Sequence, residues 1–213
     1  MNAFRLDPYL WLHLTGIAAV PLFLGICLLG LAVGDPGLPV AVEFALVSLP
    51  GLLLVLWMQV ARPFYIYSVL VVATQPQQLS AQKRQILNRF LARKRRGFLG
   101  WLLPLLVAVA IAIVLWPIYL WAPVASSVVA WMPPWRGVGL LVAAIAFFLV
   151  NLFTQVPFSV LEVLLTPAAT FTNTPPLSVE EIQNHFTIVG WQLQRGVLPV
   201  KEPPETAPSK PTS

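Results

Sequence analysis

The stretch KRQILNRFLARKRRGFLGWLLPLLVAVAIAIVLWPIYLW, residues 83–121, decides the fold class of this chain. Its first part carries seven Lys or Arg residues and no acidic residue, whereas Phe98–Trp121 contains no charged residue at all. That second part is longer than the ~20 residues that a helix needs to cross a bilayer. The stretch therefore predicts a basic segment outside the membrane, joined directly to a transmembrane helix.

Three further runs share this apolar character and are also long enough to cross. They are Leu10–Val33, Pro39–Ala61 and Val138–Leu165. Hydrophobic residues make up 58% of the 213 residues and charged residues only 10%, which is too little polarity to cover a soluble domain. We expect an all-α, polytopic integral membrane protein with four transmembrane helices.

Composition also divides the chain along its length. Residues 1–165 hold the four apolar runs and form the predicted transmembrane domain. Residues 166–198 are expected to be a linker with a short helix and an extended segment. Residues 199–213 hold five prolines among polar residues, a composition typical of disorder.

The first run has an alternative interpretation as a cleavable signal peptide. Arg5 precedes it, and Ala32-Val33-Gly34 resembles a cleavage site. The apolar core of a signal peptide is only about 7–15 residues long, however, which favours a retained helix.

The apolar segment Phe64–Ala73 is too short to span and follows Arg62-Pro63. Extending the second helix through it would bring Arg62 towards mid-bilayer, at a cost of at least ~2.5–3.5 kcal/mol. We expect an interfacial or re-entrant piece with Phe64, Tyr65 and Tyr67 at headgroup depth. A fifth crossing, paired with a shortened second helix, is the alternative.

The loops predict the orientation of the chain. Residues 75–97 carry the basic cluster, whereas the other two loops offer only Asp35 and Arg136. The positive-inside rule places residues 75–97 in the cytoplasm, and four spans then place both termini there. The tryptophans at the ends of the runs form two matching belts: Trp11, Trp57 and Trp101 on the cytoplasmic side, and Trp121, Trp131 and Trp135 on the other.

The basic loop is predicted to form an amphipathic helix, because Ile86, Leu87, Phe90 and Leu91 recur on one helical face. Its cations are Lys83, Arg84, Arg89, Arg93, Lys94, Arg95 and Arg96. They suit anionic lipid headgroups or, alternatively, an acidic protein partner. Nucleic acid is disfavoured, because Phe90 is the only aromatic residue among these cations.

Ionisable residues inside or at the edge of a membrane are candidate functional sites. The chain offers Glu43, Arg62 and Glu162. We hypothesise that Glu162 pairs with Arg62 at the cytoplasmic boundary, with solvation of each by headgroups as the alternative. His13 is a weak candidate ligand for chlorophyll magnesium, with an interfacial hydrogen bond as the alternative.

No catalytic motif, catalytic residue or metal-binding pattern is recognised in the sequence, so we expect a protein that is not an enzyme. No cofactor is predicted, and chlorophyll or lipid is the alternative. Residues 186–193 (FTIVGWQL) read as an extended apolar stretch that is too short to fold alone. Phe186, Ile188 and Trp191 are therefore predicted to dock on the membrane or on a partner.

Four segments of the chain carry a resemblance to a known family. They are Asp7–Leu14 (DPYLWLHL), Pro21–Leu24 (PLFL), Leu56–Gln59 (LWMQ) and Arg62–Ile66 (RPFYI). The chain from about residue 7 to 198 resembles the cyanobacterial low-complexity tail membrane proteins. The resemblance implies a location in the photosynthetic thylakoid membrane. Together with the absence of recognisable catalytic chemistry, the resemblance leads us to expect a non-enzymatic accessory or assembly factor that contacts photosynthetic membrane complexes. A small transporter or channel subunit is the alternative.

Overall fold

The computed structural model describes residues 3–69, 71–95 and 98–194. Four helical segments are long and apolar enough to cross a membrane: Pro8–Leu31, Val40–Val60, Gly100–Val129 and Arg136–Leu164. The predicted helical membrane fold is therefore confirmed. The disordered tail predicted for residues 199–213 lies outside the described residues.

The individual helices follow the predicted runs closely. The first span consists of α1 (Pro8–Thr15), a 3-10 turn at Gly16–Ala19 and α2 (Val20–Leu31). The other long helices are α3 (Val40–Val60), α4 (Ala81–Arg95), α5 (Phe98–Trp121) and α6 (Arg136–Leu164). Two short helices follow, α7 (Ala168–Thr172) and α8 (Val179–His185).

Helix α6 is the centre of the bundle and packs against each of the other three spans. The backbones of α6 and α2 approach each other closely at Gly30. A Cβ added there would lie only 2.7 Å from the amide nitrogen of Ala143. Gly51 of α3 approaches Phe148 of α6 in the same way, with 2.9 Å to its Cα. Small residues allow such close approach between transmembrane helices.

The outer surface of the bundle is suited to lipid. In the most apolar 18-residue stretch of each span, only 17–39% of the residues are buried in the protein. The side chains left outside are large and apolar, among them Leu22, Leu53 and Ile113. Such a surface is stable where hydrocarbon is the solvent.

A second core lies at one end of the bundle. We call this part the head, and it comprises residues 3–7, 62–69, 71–95 and 166–194. Its centre holds fully buried side chains from every one of these segments and from the start of α1. They include Phe4, Tyr9, Tyr65, Tyr67, Ile86, Leu87, Ile182 and Phe186. We call the end of the bundle that carries the head the head side, and the opposite end the loop side.

Residues of the segment that was predicted to be interfacial or re-entrant form part of a small sheet in the head. Strands β1 (Ser68–Val69) and β2 (Val72–Thr74) pair antiparallel, and β3 (Trp191–Leu193) joins β2 in parallel. The order is β1-β2-β3. A β-bridge between Phe64 and Thr187 extends the contact between the two parts of the chain.

The alternative of a fifth crossing was therefore wrong, because residues of this segment form strands and none of the four candidate spans includes it. The depth of Phe64, Tyr65 and Tyr67 relative to the headgroups stays a prediction, but their side chains pack on the head core. Tyr65 and Tyr67 are fully buried in protein, and Phe64 is half-buried against the same core. The reason is that β3 supplies the backbone partners that a membrane could not. Gly190, at φ 98°, allows the join, since a Cβ there would lie 2.2 Å from the Val71 carbonyl group.

Candidate functional site

The head presents an open strand edge with apolar side chains beside it. Trp191 is 75% exposed, and Val71, Val189 and Leu193 are also exposed. The backbone N–H of Trp191 donates to the Val71 carbonyl (2.8 Å), and the backbone carbonyl of Leu193 accepts from the backbone N–H of Gln75 (3.1 Å). Residues 191 and 193 thus face β2. In a parallel ladder the groups of the intervening residue, Gln192, face the other way, where no described strand lies.

The three residues predicted to dock outside the chain have different environments. Trp191 is exposed, as docking requires, but Phe186 is only 1% exposed and packs edge-on to Tyr65. Ile188 is half-buried and also packs on the head core. The prediction for Phe186 was therefore wrong, because the chain itself covers this side chain.

Helix α4 lies across the head with the predicted amphipathic pattern. Ile86, Leu87, Phe90 and Leu91 are buried in the head core. Lys83, Arg84 and Arg89 are partly buried around this apolar face. The side chains of Arg93, Lys94, Arg95 and Arg96 lie outside the part of the chain that the structure describes.

Polar side chains fasten the beginning of the chain to the head sheet. Asp7 caps α1 by accepting from Tyr9 N–H (2.9 Å), and it also accepts from the Tyr67 hydroxyl (3.1 Å). The Tyr65 hydroxyl donates to the Thr74 carbonyl (2.9 Å). Burial raises the pKa of Asp7 above its usual value of 3.8, and the hydrogen bonds that Asp7 accepts from Tyr9 and Tyr67 act in the opposite direction.

The hypothesis of an ion pair between Arg62 and Glu162 was wrong. Arg62 donates instead to the carbonyls of Gln183 (3.1 Å) and Phe186 (3.2 Å). These are C-terminal carbonyls of α8, which an arginine satisfies well. Glu162 lines, together with Pro63 and Arg89, a small cavity of about 20 Å³ between α3, α4 and α6.

His13 sits at the junction of the first span and the head. Its Nδ1 lies 2.8 Å from the Tyr9 carbonyl, one helical turn earlier, and its ring contacts that of Phe64. One ring nitrogen thus has a protein hydrogen-bond partner. In the described residues no group of three or more His, Cys, Asp or Glu side chains could hold a metal ion.

Glu43 has a partner that sequence reasoning missed. Arg136 donates to Glu43 through Nε (3.0 Å) and through Nη2, and the Tyr119 hydroxyl adds a third bond (2.9 Å). Arg136 Nη1 also donates to the carbonyls of Leu31 (2.6 Å) and Val33 (3.1 Å). This loop-side cluster links all four spans, and Glu43 within it is fully buried.

A row of buried amide and hydroxyl groups was missed as well. Asn151, Gln155 and Ser159 recur every four residues on one face of α6 and are at most 6% exposed. The Ser159 hydroxyl bonds to Gln59 of α3 (2.8 Å). Neither the oxygen nor the nitrogen of the Gln155 side chain has a hydrogen-bond partner among the described residues, and a cavity of about 10 Å³ adjoins it. The four-residue spacing in the sequence could have identified this row.

Among known proteins, the chain matches a family model but no individual protein. The family model described as "Low-complexity tail membrane protein-like" matches residues 6–198. No curated protein and no solved structure matches this chain.

Proposed function

Because the chain belongs to the low-complexity tail membrane protein-like family, we propose that it is a non-enzymatic accessory or assembly factor that docks on a larger membrane protein complex. The four spans anchor it, and the head makes the contact. By resemblance, we place it in the thylakoid membrane of a cyanobacterium, with the head and both termini in the cytoplasm.

The open edge of β3 is the observation that carries this proposal. The outward N–H and C=O of Gln192 need hydrogen-bond partners wherever the edge is covered. Lipid tails offer none, whereas a strand from another protein would extend the sheet. The exposed indole of Trp191 beside that edge is the kind of side chain that anchors protein interfaces.

Covalent capture at the edge tests the proposal. A photo-reactive amino acid placed at position 191 is expected to crosslink to one polypeptide. The same polypeptide should co-purify with the wild-type chain in stoichiometric amounts in mild detergent. The same probe at position 53, which faces outward from mid-span, serves as the control for random collisions.

A substitution at Gln192 tests the role of the strand edge. Gln192→Pro removes the outward N–H, and proline is tolerated at a sheet edge. We expect it to abolish the crosslink, whereas Gln192→Thr should retain it because threonine keeps the N–H and favours strands. A chain that purifies alone, or a crosslink to lipid only, would contradict the docking role.

A small transporter or channel subunit is the second candidate, favoured by Gln155 in the polar row of α6, whose side-chain amide has no hydrogen-bond partner among the described residues. Polar side chains buried among transmembrane helices often mark solute or ion pathways. Flux of a polar solute or ion into proteoliposomes, reduced by Gln155→Leu but not by Val160→Leu at similar depth, would support this role. Equal flux in empty liposomes would exclude it.

A further inference from the structure

We propose that a polar groove in the head is a specific site for the phosphate of an anionic lipid headgroup. The groove lies between α4 and the segment 169–175 that follows the fourth span, and its volume is about 430 Å³. The inference goes beyond the docking function proposed above and does not depend on the β3 edge.

Arg89 supplies the charge in this groove. Its Nε is buried and has no hydrogen-bond partner among the described residues. The Nε of Arg84 on the same helix is in the same state, but of the two arginines only Arg89 lines the groove. A buried arginine nitrogen without a partner is unusual, and a bound anion would satisfy it. Guanidinium groups bind phosphate through charge-assisted, often bidentate hydrogen bonds.

The facing wall offers further donors. Thr170 and Asn173 line the groove from the other side, and both side chains are exposed to it. Asn88 is already engaged, since its Nδ2 donates to the Pro175 carbonyl (2.8 Å), and this bond holds the two walls together. None of the described residues that line the groove is acidic. Glu162 lies in the adjoining cavity on the other side of Arg89.

The position of the groove indicates a lipid as the source of the phosphate. Ala92 in one wall lies six residues before the start of α5, and Ala169 in the other lies five residues after the end of α6. Each headgroup layer is roughly 5–8 Å thick, so lipid phosphates lie within reach of both walls.

Lipid binding to the full-length protein tests the site. The protein in mild detergent is titrated with phosphatidylglycerol, and bound lipids are counted by native mass spectrometry. Arg89→Gln is expected to weaken the tightest binding about ten-fold or more, because it removes a charge-assisted contact. Arg84→Gln is the matched control. It removes the same charge from the same helix, and Arg84 does not line the groove.

A second variant keeps the charge of the head unchanged. Asn173→Leu removes a donor and narrows the groove. Asn173 is exposed and its side chain makes no hydrogen bond to the described protein, so the fold should tolerate the change. We expect several-fold weaker binding of phosphatidylglycerol and an unaltered unfolding temperature.

Three results would overturn the inference. Equal losses in Arg89→Gln and Arg84→Gln would show a diffuse charge effect instead of a site. Full binding by both Arg89→Gln and Asn173→Leu would show that the groove is not used. Binding of inorganic phosphate that depends on Arg89, without binding of phosphatidylglycerol, would assign the groove to a soluble anion.

Discussion

At the scale of single residues, the loop-side cluster shows how a membrane protein tolerates a buried carboxylate. Glu43 is fully buried, and three hydrogen bonds from Arg136 and Tyr119 satisfy its oxygens. Arg136 in turn uses its remaining nitrogen to bond to carbonyls at the end of α2. The cluster therefore stabilises the arrangement of the four helix ends as well as two charges.

Removing the arginine tests that role. Arg136→Met leaves Glu43 buried without its cation, and we expect the free energy of unfolding to fall by about 3–5 kcal/mol. Denaturant titration in mixed micelles measures the change. Asp35→Asn is the control, because Asp35 is an exposed acid on the same side, and it should have almost no effect. Equal stability of the two variants would contradict a stabilising cluster.

The sequence identified Glu43 as a boundary residue but could not identify its partner. Arg136 is 93 residues away, and nothing local relates the two positions. The predicted partner of Arg62 was wrong for a related reason. Similar membrane depth alone suggested Glu162, whereas Arg62 donates to the carbonyls at the end of α8. Proximity in membrane depth predicts candidates, but pairing depends on the rotation of each helix.

At the scale of elements, the spans were predicted well and their packing was not. The predicted runs 39–61 and 98–121 match α3 and α5 to within a residue, because lipid requires a continuous apolar sequence. The same requirement makes every face of a span apolar, so periodicity gives no signal for the buried face. The parallel pairing of β2 with β3 was also invisible, because it joins segments more than 110 residues apart.

The contact between α2 and α6 gives a prediction at this scale. In Gly30→Val the new Cβ would lie only 2.7 Å from the amide nitrogen of Ala143, which is too close for two non-bonded atoms. The two helices must therefore separate. We expect the free energy of unfolding to fall by about 1–3 kcal/mol, as measured by thermal or denaturant unfolding in detergent.

Gly25→Val is the matched control for that substitution. Gly25 lies on the same helix, and a Cβ there would meet no atom within 4 Å. Its effect should be limited to a small change in helix propensity. A similar loss of stability in both variants would show that propensity, and not the close contact, explains the effect.

At the scale of the whole molecule, the two ends of the bundle differ in structure and in charge. The head packs the first residues, the segment after α3 and the residues after α6 into one core. It also carries Lys83, Arg84 and Arg89 on α4. Among the described Lys and Arg residues, only Arg136 lies at the opposite end. This asymmetry supports a bundle inserted with the head in the cytoplasm.

Cysteine labelling tests this insertion most directly. Cys27 is buried, and its replacement by alanine gives a background without thiols. Into it we introduce Gln77→Cys in the head or Gly37→Cys in the loop between the first two spans, both at exposed positions. In sealed vesicles with the cytoplasmic face inward, a membrane-impermeant maleimide should label the Gly37→Cys variant at once. It should label the Gln77→Cys variant only after permeabilisation. Immediate labelling of Gln77→Cys, or equal labelling of both variants before permeabilisation, would contradict a four-span bundle with a cytoplasmic head.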